Sequence, residues 1–376
     1  ADGNLPPTFY VYGTEDPFYR QFQQQYDVIR GMGIPTGRIV LNGWPHGFGS
    51  DGGWVTDYAA WLENVFAHLD NTASFMIDRA GGFSYHIETM ELGTENGRLH
   101  TVLYIPESGA SVYPAVIFSH GYGDTNRGGQ AYAQALASQG YLAVCFDFRG
   151  GGPGNQSDGS PLEMTIFTEQ QDLEAEIAML RARSDVDEQY IFLLGNSQGG
   201  VVSALTAAAH PDWVRAMALS SPAFSLADDA RKLFGSVDEI PEQYFHMLMN
   251  VGRDYFASVY DFDPIDAAKS YPGDVLIFHG DRDKLVPIDY SRRAAESYPN
   301  ATLQVLSGEG HMYSDEAVRQ TIWCRVWLIF SGLILGRSLT SILSLPSIIF
   351  MPALTMRMSY WPWNSGVMGR SRCSRR

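Results

Sequence analysis

The chain has 376 residues, more than a typical single domain of about 100–200, and its 45% hydrophobic and 13% aromatic content is enough to bury a sizeable core. A formal net charge of -16 repels polyphosphate and speaks against nucleic acid as a partner. Three widely spaced cysteines, Cys145, Cys324 and Cys373, form no CxxC pair and no His/Cys metal spacing, which speaks against a disulfide framework or a zinc site.

The first predicted element is a strand over Thr8–Tyr12, β-branched and aromatic, followed by the acidic loop Gly13-Thr-Glu-Asp16. A helix over Phe18–Met32 ends at Gly33. A strand over Gly37–Leu41 leads to Gly43-Trp-Pro-His46-Gly, and a last helix covers Val55–Leu69. Strand, acid loop, helix, strand, His loop, helix is the closing pattern of an α/β-hydrolase. Asp16 and His46 stand where an acid and a base would, with no serine before them, so residues 1–70 read as the C-terminal remnant of such a fold.

A polar junction at Asp70–Ser74 opens a second unit. Strands are predicted over Tyr85–Leu92 and Arg98–Ile105, then over Pro114–Phe118, an apolar run suited to burial on both faces. Helix Gln130–Gln139, strand Tyr141–Asp147, helix Phe167–Arg183, strand Tyr190–Leu194, helix Gly199–His210, strand Val214–Ser220 and strand Asp274–Phe278 follow. Repeated strand–helix units imply an α/β class fold with a mostly parallel sheet and helices on both faces. Between Ser221 and Pro272 the rhythm breaks in a stretch rich in aromatic and Met residues, predicted to be an inserted cap over residues 221–272. A final strand is predicted over Ala301–Leu306.

The chemistry-bearing residues lie at the ends of these strands. Gly195-Asn-Ser197-Gln-Gly199 fits G-x-S-x-G between a strand and a helix, the context that lifts a serine hydroxyl above the sheet at a helix N-terminus. A serine needs a base to become a nucleophile. His311, in the glycine-flexed loop after the last strand, is the candidate. The acid must come between them in the chain, and His279-Gly-Asp-Arg-Asp283 offers Asp281 and Asp283. The second is expected to orient the imidazole and stabilise its protonated form, with Asp281 shaping the turn. Backbone N–H groups of Tyr122, in Ser119-His-Gly-Tyr122-Gly, and of Gln198 are the expected oxyanion donors. No HExxH, no GxGxxG after a strand and no P-loop is present, so no metal and no cofactor is expected.

At these residues the chain resembles known enzymes. HGYGD, GNSQGG, LADDARKLFGSVDEIPE, HGDRDKLVP and GEGHMYSD, spread over residues 74–330, are similar to a bacterial α/β-hydrolase esterase of the cinnamoyl/feruloyl esterase group. Phe148-Arg-Gly-Gly-Gly-Pro-Gly and Met164–Glu169 depart from that pattern. PPTFYVYGTEDPFYRQF and GWPHGFGSDGGW resemble the C-terminal part of a second esterase, of a kind acting on plant polysaccharide. The resemblance implies a serine carboxylic ester hydrolase working through an acyl-enzyme on a small-molecule ester, feruloyl, cinnamoyl or short acyl. An acyl-peptide hydrolase or an acyltransferase using the same triad stays open. The oligomeric state and the compartment are not legible. With no signal peptide before Ala1, a soluble and cytoplasmic protein is the expectation.

From Ile322 to Arg376 there are seven Arg and no Lys, Asp or Glu, leaving 19 basic and 42 acidic residues elsewhere. The nineteen uncharged residues between Arg337 and Arg357 match the length of a membrane span. Pro346, Pro352 and serines 338, 341, 344 and 347 argue against one. Residues 331–376 are therefore expected to be an atypical tail, its composition that of a segment translated out of frame.

Overall fold

A computed structural model describes residues 7–14, 16–32, 34, 36–42, 44, 58, 79–80 and 83–313, together with Val326 and Phe330. A small sheet uses β1 (Thr8–Gly13), β2 (Thr36–Asn42) and β3 (Arg79–Ala80), all parallel and in that order. Helix α1 (Tyr19–Gly31) connects β1 to β2 and buries Tyr26. The third strand comes from beyond the polar junction at 70–74. His46 and, Tyr58 apart, the helix predicted over Val55–Leu69 lie outside the described residues.

The main body is an eight-stranded sheet built from β4 (Tyr85–Thr94), β5 (Gly97–Pro106), β6 (Tyr113–Ser119), β7 (Leu142–Phe146), β8 (Val186–Asn196), β9 (Ala216–Ser220), β12 (Asp274–Gly280) and β13 (Ala301–Leu306). Its order is β13-β12-β9-β8-β6-β7-β5-β4. Strands β6 to β13 run parallel, while β4 and β5 form an antiparallel hairpin whose β5 pairs with β7. The parallel connections contain α2 (Gln130–Ser138), α3 (Ile166–Arg181), α4 (Gln198–Ala209) and α8 (Asp289–Ser297). Because side chains alternate across a strand, each central strand feeds two cores. Ile191 and Leu193 of β8 join the core that includes Ile117, Val201 and Phe256, whereas Phe192 and Leu194 join the opposite one with Phe118 and Phe278. Phe330 completes that second core, stacked on Phe192 at 4.3 Å between ring centroids.

The segment between β9 and β12 holds α5 (Leu226–Leu233), the antiparallel hairpin β10 (Gln243–His246) and β11 (Met249–Gly252), α6 (Arg253–Ala257) and α7 (Pro264–Ala268). The sequence suggested neither α8 nor this hairpin. Its turn carries Met247 at φ 52°, a conformation usually left to Gly or Asn. Phe245, Met247 and Leu248 are exposed, while Phe234, Tyr255 and Phe256 are buried.

Candidate active site

Ser197 sits between the last residue of β8 and the first of α4 at φ 52° and ψ -117°, a strained conformation for a residue with a side chain. Close packing around the bend fixes the glycines. A Cβ on Gly195 would lie 2.6 Å from Ser203 Oγ, and one on Gly199 would run into the Ser119 and His120 carbonyls. The bend is held by Ser197 N–H, which donates to the Ser220 carbonyl at 2.8 Å, and by Ala223 N–H, which donates to the Ser197 carbonyl at 3.0 Å.

The loops after β8, β12 and β13 converge at the C-terminal edge of the sheet, where open α/β sheets collect their ligands. There His311 Nε2 lies 3.0 Å from Ser197 Oγ, and His311 Nδ1 lies 2.7 Å from Asp283 Oδ2. The Asp283 carboxylate only accepts, so Nδ1 carries the proton and Nε2 is left to accept the serine hydroxyl. The other carboxylate oxygen accepts the N–H groups of Leu285 at 2.8 Å and Val286 at 2.9 Å. Burial alone would raise the Asp283 pKa, but hydrogen bonds from His279, His311 and the Val286 N–H outweigh it and hold the carboxyl well below the usual range. Asp281 does not reach the histidine. It accepts the N–H of Gly308 at 2.7 Å and so shapes the loop that carries His311.

Two residues of this constellation have no signal in the sequence beyond their neighbourhood. His279, fully buried, places Nε2 3.2 Å from Asp283 Oδ2 and 2.9 Å from the Val286 carbonyl, while Nδ1 meets Ser291 Oγ at 2.7 Å. Two acceptors at Nε2 fix that nitrogen as the donor. Tyr313, two residues past His311, donates to the Phe278 carbonyl at 3.1 Å and pairs with Ser221 Oγ at 2.7 Å, tying the His311 loop to the sheet.

Tyr122 and Gln198, expected to supply oxyanion donors, flank the serine. Gln198 is the first residue of α4, where N–H groups lack intrahelical partners, and Gly121 lies so close to Ser197 that a Cβ there would be 3.1 Å from Ser197 Cβ. Among the described residues no backbone carbonyl takes the N–H of Tyr122 or of Gln198 outside the regular elements. Their side chains turn away from the serine. Tyr122 Oη donates to the His246 carbonyl at 2.8 Å. Gln198 Nε2 donates to Glu169 Oε2 at 2.9 Å and Gln198 Oε1 accepts from Tyr255 Oη at 2.7 Å. Tyr255, in the segment between β9 and β12, thus reaches the residue next to Ser197.

Asp16, the acid candidate of the first segment, is buried after β1, and its Oδ1 accepts the Phe18 N–H at 2.7 Å. Among the described residues there is no group of three His, Cys, Asp or Glu arranged for a metal ion, and no helix is long and apolar enough to cross a membrane.

A strained serine at a strand-to-helix bend, with an imidazole and a carboxylate delivered by later strands of a mostly parallel sheet, defines the α/β-hydrolase fold. Residues 110–261 match the family described as serine aminopeptidase, S33. The uncharacterized protein Rv2307c of Mycobacterium tuberculosis (strain ATCC 25618 / H37Rv) is 30% identical over 220 residues, 58% of this chain and 70% of that protein. The chain belongs to the same family as that mycobacterial protein. The uncharacterized protein YfhR of Escherichia coli (strain K12) is 26% identical over 211 residues, 55% of this chain, and the chain spans 66% of that relative's length. Among solved structures, Est1E from Butyrivibrio proteoclasticus with ferulic acid bound is similar at a TM-score of 0.57 and 24% identity, over 66% of this chain and 98% of Est1E. The α/β hydrolase GrgF from Penicillium sp. sh18 is similar at 0.55 and 16%, over the same shares of the two chains.

Proposed function

We propose that the chain is a serine hydrolase that cleaves carboxylic esters, with Ser197 as nucleophile, His311 as general base and acid, and Asp283 as its orienting partner. The observation that carries this reading is the continuous hydrogen-bond line from Ser197 Oγ through His311 to Asp283, at 3.0 and 2.7 Å. His311 Nε2 takes the hydroxyl proton as Oγ attacks the ester carbonyl, giving a tetrahedral oxyanion. The N–H groups of Tyr122 and Gln198 receive that charge. His311 then returns its proton to the leaving alkoxide, and the alcohol departs, leaving an acyl-enzyme. Water repeats the cycle, giving its proton to His311, and the acid is released with Ser197 restored. Asp283, kept ionised by hydrogen bonds from His279, His311 and the Val286 N–H, stabilises the imidazolium formed at both stages.

Tyr122 and His246, partly exposed and packed 5.3 Å apart against the buried rings of Tyr255 and Phe256, offer aromatic surface to an acyl group. That surface, with the likeness to Est1E and its ferulic acid, supports feruloyl, cinnamoyl or short acyl esters as substrates. A peptidase reading, favoured by the serine aminopeptidase match over 110–261, uses the same triad on an amide. An acyltransferase would replace water by a second alcohol. The test is turnover of p-nitrophenyl esters beside amino-acid anilides by wild type and Ser197→Ala. Ester turnover is expected to exceed anilide turnover by orders of magnitude and to fall by about 10⁴ or more in the variant, because a triad acts as a unit. Faster anilide cleavage, or ester turnover surviving the loss of Ser197, overturns the reading.

A further inference from the structure

Both expected oxyanion donors are residues whose side chains are anchored in the cap segment. Gln198 is buried and its amide is gripped from two sides, by Glu169 of α3 and by Tyr255 of α6. Tyr122 is held by its hydroxyl to the carbonyl of His246, the last residue of β10. The two anchors also touch each other. The rings of Tyr122 and Tyr255 lie 5.5 Å apart, with His246 packed 5.3 Å from the first and 5.9 Å from the second. Gln198 thus gives its backbone N–H to the site and its side chain to a buried network with Glu169 and Tyr255, which reaches Tyr122 through the Tyr255 ring.

From this arrangement we infer that Tyr255 and Glu169 are positioning residues for the oxyanion hole, and that through them and the Tyr122 hydroxyl the cap sets the geometry of the two N–H donors. The inference rests on the esterase reading of the site. It explains why a polar triplet is buried at the start of α4, where an apolar residue would fill the space without needing two partners. Hydrogen bonds to an oxyanion act through orientation, so a small rotation of the first residue of α4 weakens the transition state while leaving ground-state binding intact. Glu169 is held as an acceptor rather than a charge. Burial pushes its carboxyl up to about 8, with the Gln198 bond opposing and Asp172 adding to the rise. A glutamine at 169 keeps an acceptor of the same shape, and a leucine removes it.

The test compares Tyr255→Phe, Glu169→Leu, Glu169→Gln and Tyr122→Phe with wild type on p-nitrophenyl butyrate. It adds inhibition by an alkyl trifluoromethyl ketone, which Ser197 converts to a tetrahedral oxyanion, and by the matching alcohol, which it cannot convert. Tyr255→Phe, Glu169→Leu and Tyr122→Phe are expected to lower kcat on the order of tenfold with KM within about twofold. They should weaken the ketone by the same factor and leave the alcohol unchanged, and Glu169→Gln should recover most of the kcat lost in Glu169→Leu. Tyr271→Phe is the control for losing a buried tyrosine hydrogen bond, since Tyr271 Oη donates to the Val214 carbonyl at 2.8 Å away from the site. It should lower the melting temperature without touching kcat. Should Tyr255→Phe fail to fold, Tyr122→Phe and Glu169→Leu carry the comparison. Equal weakening of ketone and alcohol, or kcat losses no larger than that of Tyr271→Phe, would overturn the inference and leave the esterase reading standing. Turnover that survives in Ser197→Ala would overturn both.

Discussion

At the scale of single residues, two aspartates two positions apart have different partners, and their variants should differ accordingly. Asp283 receives His311 Nδ1, His279 Nε2 and two backbone N–H groups, whereas Asp281 receives the N–H of Gly308. Asp283→Asn is expected to cost roughly 10³–10⁴ in kcat, because an amide at that position favours the wrong imidazole tautomer. Asp281→Asn keeps an acceptor for Gly308 and should stay within about twofold in kcat. Steady-state kinetics of the pair, with circular dichroism to verify folding, checks the assignment, and a larger loss in Asp281→Asn would reverse it. The proposed triad was legible in the sequence because each member follows a strand in the required chain order. His279 was less legible. It lies inside the same HGDRD run, but a histidine before a glycine turn carries no mark of the neighbour its ring will face. Its role follows from the chain curling so that residue 279 meets residue 283.

At the scale of elements, the parallel strands were readable because strands buried on both faces are continuous apolar runs. The β10–β11 hairpin was not, since Gln243–His246 and Met249–Gly252 are four residues each and their turn lacks the Asn-Gly or Asp-Gly signal. That difference separates two aromatic residues that look alike in the sequence. Phe256 is 3% exposed and Phe245 is 64% exposed. Phe256→Ala should cost about 3–5 kcal/mol of stability. Phe245→Ala should change stability by no more than about 0.5 kcal/mol and is the cleaner probe of whether the hairpin touches the acyl group. Denaturant unfolding beside a panel of acetyl, butyryl, octanoyl and feruloyl esters reads both effects; equal losses on every ester in Phe245→Ala would separate the hairpin from specificity. Helix α3 hid its acids in a different way. Glu169, Asp172 and Glu176 recur on one face of that helix, normally a solvated pattern, yet all three are buried. Asp172 is matched by Arg149, whose Nε lies 2.5 Å from it, but among the described residues Glu176 has only the Thr101 hydroxyl at 2.5 Å. Burial pushes Glu176 from its ordinary 4.5 up to about 8, opposed by the Thr101 bond and aided by Asp172. Between those values the folded chain keeps a proton that the unfolded chain has released, so stability falls as pH rises through that window and levels off above it. Asp283 works in the opposite sense, adding stability above the ordinary carboxylate range that is lost as pH falls. Glu176→Gln cannot ionise, and its melting temperature relative to wild type should rise between pH 5 and pH 8.5, on the order of 10 °C if the whole shift is expressed. A difference that stays constant with pH would mean that Glu176 is already ionised in the folded state.

At the scale of the whole molecule, the three-stranded and eight-stranded sheets share no strand pairing among the described residues, and Ser197, Asp283 and His311 all follow strands of the eight-stranded one. We propose that the first sheet is dispensable for turnover. The cut belongs before Phe83, because β3 pairs with β2 and Phe83 N–H donates to the Ser138 carbonyl of the main body at 2.8 Å. Deleting residues 1–82 should leave kcat within about twofold, and lost turnover in a truncation that still melts cooperatively would assign the segment a working role. The other end of the chain divides inside the stretch whose composition changes after Ile322. Val326 and Phe330 are fully buried in the second core, Phe330 flat against Phe192 of the strand that leads to Ser197. The abrupt shift to a chain without acids or Lys therefore does not coincide with the edge of the packed structure. Residues 331–376, which hold six of the seven arginines and the interrupted apolar run, lie outside the described residues. Two variants separate these claims. Truncation after Leu335 keeps both buried side chains and should leave ester turnover and melting temperature close to those of the full chain. Phe330→Ala in the full-length protein removes a fully buried ring and should cost about 3–5 kcal/mol, with turnover retained at temperatures where the variant stays folded. If truncation after Leu335 abolished turnover, or if Phe330→Ala melted like wild type, the boundary between core and tail would have to move, later in the first case and earlier in the second.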